Sequence, residues 1–550
     1  MIRVSVLVES RAGVSRATLL SLIRSTAFDI GRNCLLAAPS TRTQQRATRM
    51  SSRTAGRFTR RGFLGAGGLA AVTSQSVASA LLISNAAFAE QSSSDAAGQA
   101  AAHTADYLQA AEQTARWIRS AEVSKQTGIA WLPEPDHPDK PATVGPDNTI
   151  YSGSAGTVLF FLELAGATGD VSYLDDAKRG ADYLAASWNL LPGQKRKSLL
   201  QDRGLSFDQG LAGVAFTLAE TWKVTKVPAY RDAALAATRA LAEAAVPTGK
   251  GVEWIPSPAV GLGGGIVLYL LYAAHTLKQP DLLKLATRAG DRIIQLSQPD
   301  ARGGLRWQGI PRDSGIIAAA GIPANAYFPN FELGTAGVAF VLARLYEETQ
   351  QPRFLAAARA GAKHIQSIAH VRGDSALVYY REPDLQDLYY LGYCHGPAGT
   401  ARLFYQLHKV TGEASYLEWT EKLARGVIEA GIPEKLTPGY WNVACQCCGA
   451  AAEVDFFLSL WLGTGKPAYR DFARRVADQL ITRTTDLDGK GYRWYQAWTR
   501  VKPWEVNAET GYKIGASGIG AALVHTQLAI ENRYSAILFP DNPFPRSQRT

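Results

Sequence analysis

Sulfur is scarce in this chain of 550 residues, which has two methionines, Met1 and Met50, and five cysteines. So few cysteines exclude a disulfide-built scaffold, and a 46% hydrophobic composition is ample for a conventional core instead. After residue 89 no apolar run is long enough to span a bilayer, so no stable membrane span is expected once the leader is gone. A basic stripe is missing as well. The formal charge of +10 arises within residues 1–89, which hold twelve arginines against Glu9 and Asp29; 46 basic and 46 acidic residues remain from 90 to 550. A near-neutral body offers phosphates no electrostatic footprint, so no nucleic-acid partner is expected.

What the leader does carry is an address. Thr59-Arg60-Arg61-Gly62-Phe63-Leu64 is similar to a twin-arginine export signal, and the uncharged stretch that follows ends in Ala87-Phe88-Ala89, a cleavage pattern. That stretch is rich in Gly, Ala and Ser and too weakly hydrophobic for a stable anchor. Residues 1–89 are therefore expected to be an N-terminal extension and cleaved signal, and the product to be periplasmic or secreted. Cys34 would leave with the signal.

From about Thr104 a unit recurs seven times, each with a Gly-x-x-Gly-like entrance to an apolar run. The first glycines are Gly153, Gly210, Gly261, Gly334, Gly396, Gly449 and Gly515, spaced 57, 51, 73, 62, 53 and 66 residues apart. This spacing suits two helices and two connections per unit. The runs after the glycines, such as "TVLFFLELAG", are apolar nearly all round. The intervening segments, such as "PAYRDAALAATRALAEAA", have one polar face. Buried and half-exposed helices in alternation predict an all-α double ring, an α/α toroid of seven helical hairpins over residues 104–530, with 531–550 as a C-terminal tail. The glycine mouths would then gather at one end of the ring.

Four of the five cysteines sit at two neighbouring mouths. The fifth reads Tyr393-Cys394-His395-Gly396; the sixth reads Cys445-Gln446-Cys447-Cys448-Gly449. Ring closure would bring Cys394, His395, Cys447 and Cys448 together. Thiolates and imidazole so placed suit Zn²⁺, and helix N-termini favour the deprotonated thiol. A disulfide among these cysteines is the alternative in an oxidising compartment.

The seven glycine entrances, "YCHGPAG" at the fifth and "GASGIGAAL" at the last resemble the lanthionine synthetase C-like family. The resemblance implies an α/α toroid whose zinc is held by Cys394 and Cys447, with Cys448 where the family has histidine. It also implies a peptide or small-thiol substrate: the family's zinc activates a cysteine thiol for addition to a dehydroamino acid. Leu333 stands at the place of the family's catalytic histidine, so whether the chain is an enzyme stays open at this stage. His395, Glu332 and Asp208 are the candidate acid–base residues.

Two other readings stay open. Aromatic residues in the connections, including Trp254, Trp307, Tyr327-Phe328, Tyr389-Tyr390 and Trp494-Tyr495, would suit a glycan hydrolase or epimerase with Glu332 and Asp208 as paired carboxylates. A non-catalytic zinc protein that captures a peptide or thiol is the third.

Overall fold

The structure is a computed structural model and describes residues 107–139, 148–188, 203–310, 323, 325–497, 500 and 502–547. The leader lies outside these residues, and with it the twin-arginine motif, the cleavage pattern and Cys34.

Fourteen helices occur among the described residues. Helix α1 covers 107–120. The inner helices are α2 (Ser154–Thr168), α4 (Leu211–Thr225), α6 (Gly265–Thr276), α8 (Thr335–Thr349), α10 (Pro397–Thr411), α12 (Ala450–Thr464) and α14 (Ala516–Ile530). Between them run the outer helices α3 (Val171–Ser187), α5 (Pro228–Glu243), α7 (Asp281–Gln295), α9 (Pro352–Ile368), α11 (Ala414–Glu429) and α13 (Pro467–Thr482). The burial follows the sequence pattern: α2 buries nearly every residue from Ser154 to Leu164, whereas α3 buries only one face.

Most hairpins share one turn. Inner helices end on a left-handed residue (Gly169, Lys226, Gln350, Gly412 or Gly465), one extended residue follows, and the outer helix starts, three times with proline in its first turn. The left-handed residue satisfies a terminal carbonyl of the inner helix, and proline at the start needs no N–H. Six pairs are consecutive hairpins. The seventh joins the two ends of the ring: a Cβ on Gly520 of α14 would lie 3.3 Å from Thr114 of α1 and 2.7 Å from Phe160 of α2. The first and last helices thus clasp the toroid.

The mouths close the ring independently. The residue two places before the first glycine donates its N–H to the carbonyl of its counterpart in the next repeat. The bonds run Glu332 to Cys394, Cys394 to Cys447, Cys447 to Lys513, Lys513 to Tyr151 and Tyr151 to Asp208, at 2.8–3.1 Å. Repeat three joins through Gly261, whose N–H meets the Glu332 carbonyl at 2.8 Å. There the register departs from the sequence reading. Gly261 is not the glycine at the helix entrance, because an extra turn, Val260–Gly264, intervenes and α6 begins only at Gly265. Any side chain at Gly261 would meet Glu332 Cγ at 2.9 Å, so the glycine leaves room for that carboxylate.

Three tryptophans of the connections pin outer helices. Trp254, Trp307 and Trp494 are buried, and their indole N–H groups donate to Leu241, Ile293 and Leu480 carbonyls at 2.7–2.8 Å. Rings so engaged are not available to stack on a sugar, which removes part of the support for the glycan reading.

Candidate metal centre

Neighbouring mouths place Cys394 beside Cys447 by a backbone bond of 2.9 Å, and their side chains meet at the ring end. The Sγ atoms of Cys394, Cys447 and Cys448 all lie within 4.8 Å of one another, with Cys394 to Cys448 at 3.3 Å and Cys448 to Cys447 at 3.6 Å. All three are buried thiols, not disulfides. One tetrahedral zinc with bonds of about 2.3 Å separates its sulfurs by roughly 3.7 Å, so the donor set and its spacing fit that ion. Cys445 stands behind them: its Sγ accepts the Cys448 N–H at 3.5 Å.

The Tyr151 hydroxyl donates to Cys447 Sγ at 3.2 Å, across 296 positions of sequence. Burial works against a Cys447 thiolate, but contacts from Cys394, Cys448 and Tyr151 and the charge of Lys513 outweigh it and hold its pKa well below the ordinary thiol value. Tyr151 escaped sequence reasoning, and from the sequence Lys513 reads only as a residue that could reach the rim, not as a site candidate. Both stand two places before a glycine, the position shared by Cys394 and Cys447, and aligning that position across all seven mouths would have found them.

The three candidate acid–base residues divide. Glu332 Oε2 lies 3.6 Å from Cys447 Sγ. Asp208 is buried with Oδ1 3.6 Å from Lys513 Nζ; burial, partly offset by Lys513, pushes its pKa up to about 6. His395 is fully buried, and its ring packs against Phe328, Tyr380 and Tyr390 at centroid distances of 5.4, 4.9 and 5.6 Å. Neither ring nitrogen has a hydrogen-bond partner among the described residues, and burial pushes the pKa down to about 4, so the imidazole is neutral at pH 7. Leu333 is buried in the core.

The family model of the lanthionine synthetase C-like protein matches residues 146–539. The chain belongs to the lanthionine synthetase C-like family. Among solved structures, nisin cyclase aligns with a TM-score of 0.51 and 14% identity, covering 70% of this chain and 89% of its own. At that identity the likeness establishes the α/α toroid of this lanthionine synthetase C-like chain and nothing finer. The GH76A α-1,6-mannanase from Salegentibacter sp. HEL1_6 aligns at 0.40 and 16%, covering 77% and 99%, and D-mannose isomerase at 0.37 and 15%, covering 59% and 86%. No curated protein matches the sequence.

Proposed function

We propose that this lanthionine synthetase C-like protein binds one Zn²⁺ through Cys394, Cys447 and Cys448, and activates a thiol for addition to a dehydroamino acid or a similar electrophile. The observation that carries the reading is the convergence of three buried sulfurs within 4.8 Å from mouths separated in sequence. Three protein ligands leave a fourth position, and zinc bound there lowers the pKa of an incoming thiol and holds its sulfur. The chain's own residues supply the rest. Tyr151 steadies the Cys447 sulfur, and Lys513 offsets the charge of a thiolate cluster. Glu332 is the candidate to take and return the proton in place of the family's histidine, being nearest the sulfurs. His395, neutral and enclosed by rings, would shape the wall of the site.

The protein is further proposed to be exported by the twin-arginine route, on the strength of Arg60-Arg61 and the Ala87-Phe88-Ala89 pattern. Retention of an Arg60→Lys/Arg61→Lys precursor inside the cell would support that; undiminished export would contradict it.

Metal analysis of protein purified without chelator tests the site. About one zinc per chain, absent in Cys447→Ala, is expected, together with thioether formation from a dehydroalanine peptide that depends on the metal. Zinc-free protein with its cysteines oxidised in pairs would replace this reading with the disulfide.

A further inference from the structure

The C-terminal segment 531–547 does not lie outside the ring. The Ile537 N–H donates to Glu163 of α2 at 2.7 Å, and Phe539 stacks on Phe216 of α4 at 5.5 Å. Asp541 pairs with Arg402 of α10, and Phe544 packs on Tyr405 of α10 and Phe456 of α12 at 4.2 and 6.2 Å. A strand of chain that touches inner helices on several sides of a ring must cross its interior. It does so with no helix or sheet ladder of its own.

Irregular backbone is seldom buried, because its N–H and C=O groups need partners. Here the helix walls supply them: Glu163 accepts from Ile537, while Arg402 Nη1 donates to the Asp541 carbonyl at 3.2 Å. The carboxylate of Asp541 has a cradle of its own. Its Oδ2 lies 2.9 Å from Arg402 Nη1 and accepts from the Tyr393 hydroxyl at 2.6 Å. The Lys513 ammonium sits over the Tyr393 ring at 3.9 Å and the Phe539 ring at 5.4 Å. Burial works against the charge of Asp541, yet Arg402, Lys513 and Tyr393 hold its pKa below the ordinary value. Lys513 already faces Asp208 in the wall, whereas Arg402 forms its ion pair with Asp541 of the segment, so the segment's carboxylate matches a wall cation that is costly to hold without an anion. The cradle also adjoins the sulfurs, since Tyr393 precedes Cys394 and the Lys513 carbonyl accepts from the Cys447 N–H at 2.8 Å.

We propose that the interior of the ring is a binding site for an acidic, aromatic-bearing peptide segment, with Arg402, Lys513 and Tyr393 as its carboxylate cradle, and that residues 534–544 occupy it in cis as a removable plug. This deepens the proposed function by naming the substrate class, and rests on it only for the chemistry at the sulfurs. A peptide seated there would present its neighbouring residues to the thiols, and would first have to displace the tail.

The test uses the full chain and a labelled synthetic peptide of residues 533–546, alongside the same peptide with Asn at the place of Asp541. An Asp541→Asn protein, its own tail loosened, should bind the native peptide about tenfold more tightly than the parent does, and the Asn peptide about tenfold more weakly than the native one. Adding Arg402→Gln should abolish the gain. Hydrogen exchange over 533–545 should rise in Asp541→Asn while 154–168 and 516–530 stay protected. Should that variant unfold, millimolar native peptide added to the parent should speed exchange of 533–545, and the Asn peptide should not. A folded variant that takes neither peptide, or both equally, overturns the proposal, as does a tail in the parent that neither peptide moves. Metal content read on the same samples separates the two readings: discrimination between peptides without zinc leaves this one and removes the zinc chemistry, and zinc without discrimination does the reverse.

Discussion

Glu163, His525 and Asp455 on the helix walls form a trio of buried or half-buried titratable side chains, as Cys394, Cys447 and Cys448 do at the helix mouths. The two trios are linked by Gln446, which precedes Cys447 and donates to Asp455 Oδ2 at 2.7 Å. In the first, the signs alternate: His525 meets Asp455 Oδ1 at 2.8 Å and Glu163 Oε1 at 3.0 Å. Burial works against its charge, yet the two carboxylates hold its pKa well above the ordinary histidine value. In the second, three like donors face one another, and as thiolates they repel. A trio of alternating sign satisfies itself and ties α2, α12 and α14 together. Three thiolates together would need a cation, and that contrast is the physical argument behind the metal proposed at the mouths.

The largest effect should come from removing a sulfur. Chelator is expected to destabilise the parent by several kcal/mol, because binding energy at such a site is also folding energy, and to change Cys447→Ala little. Denaturant melts with and without chelator read this directly. The wall trio should behave in the opposite way: His525→Leu strands two carboxylates and should cost about 3–5 kcal/mol whether or not chelator is present. Its pH signature has a definite sign. A raised folded pKa means the native state holds a proton that the unfolded chain releases, so this contribution is present below about pH 6.5 and fades as pH rises through the folded value. The His525→Leu melt should lack that alkaline decline.

Glu453, at the start of α12, extends the comparison to a buried carboxylate whose burial outweighs the pull of Arg483. Burial, against a hydrogen bond from Asn442, raises its pKa to about 8. Native protein therefore holds this proton while unfolded chain loses it above about 4.5, and stability should fall as pH rises between those values. Glu453→Gln should flatten that slope and gain about 1–3 kcal/mol at pH 8, measured by denaturation across the range. The smallest effect is reserved for Tyr151→Phe. Losing the hydroxyl that donates to Cys447 Sγ should weaken zinc affinity about tenfold in a competition titration while leaving the fold intact.

The double ring was legible because it is written in local periodicity: glycine entrances, all-round apolar runs and one-faced outer helices. Cys394, Cys447 and Cys448 were legible for a related reason, since sulfur is rare and two adjacent mouths carry it. The register of repeat three was not, because Val260–Gly264 adds a turn that a run of glycines hides. Tyr151 was missed because its partner Cys447 is brought to it only when the last repeat meets the first. The path of residues 531–547 into the ring was not legible either. "ILFPDNPF" has no helical or strand period, and its partners include helices and mouths far from it in sequence.

The central claim is most directly tested by X-ray absorption at the zinc edge of protein purified without chelator. The account predicts one zinc per chain with three sulfur neighbours at about 2.3 Å and one lighter or exchangeable ligand. Zinc bound by fewer than two sulfurs, or protein without zinc whose thiols are intact and reduced, would contradict it.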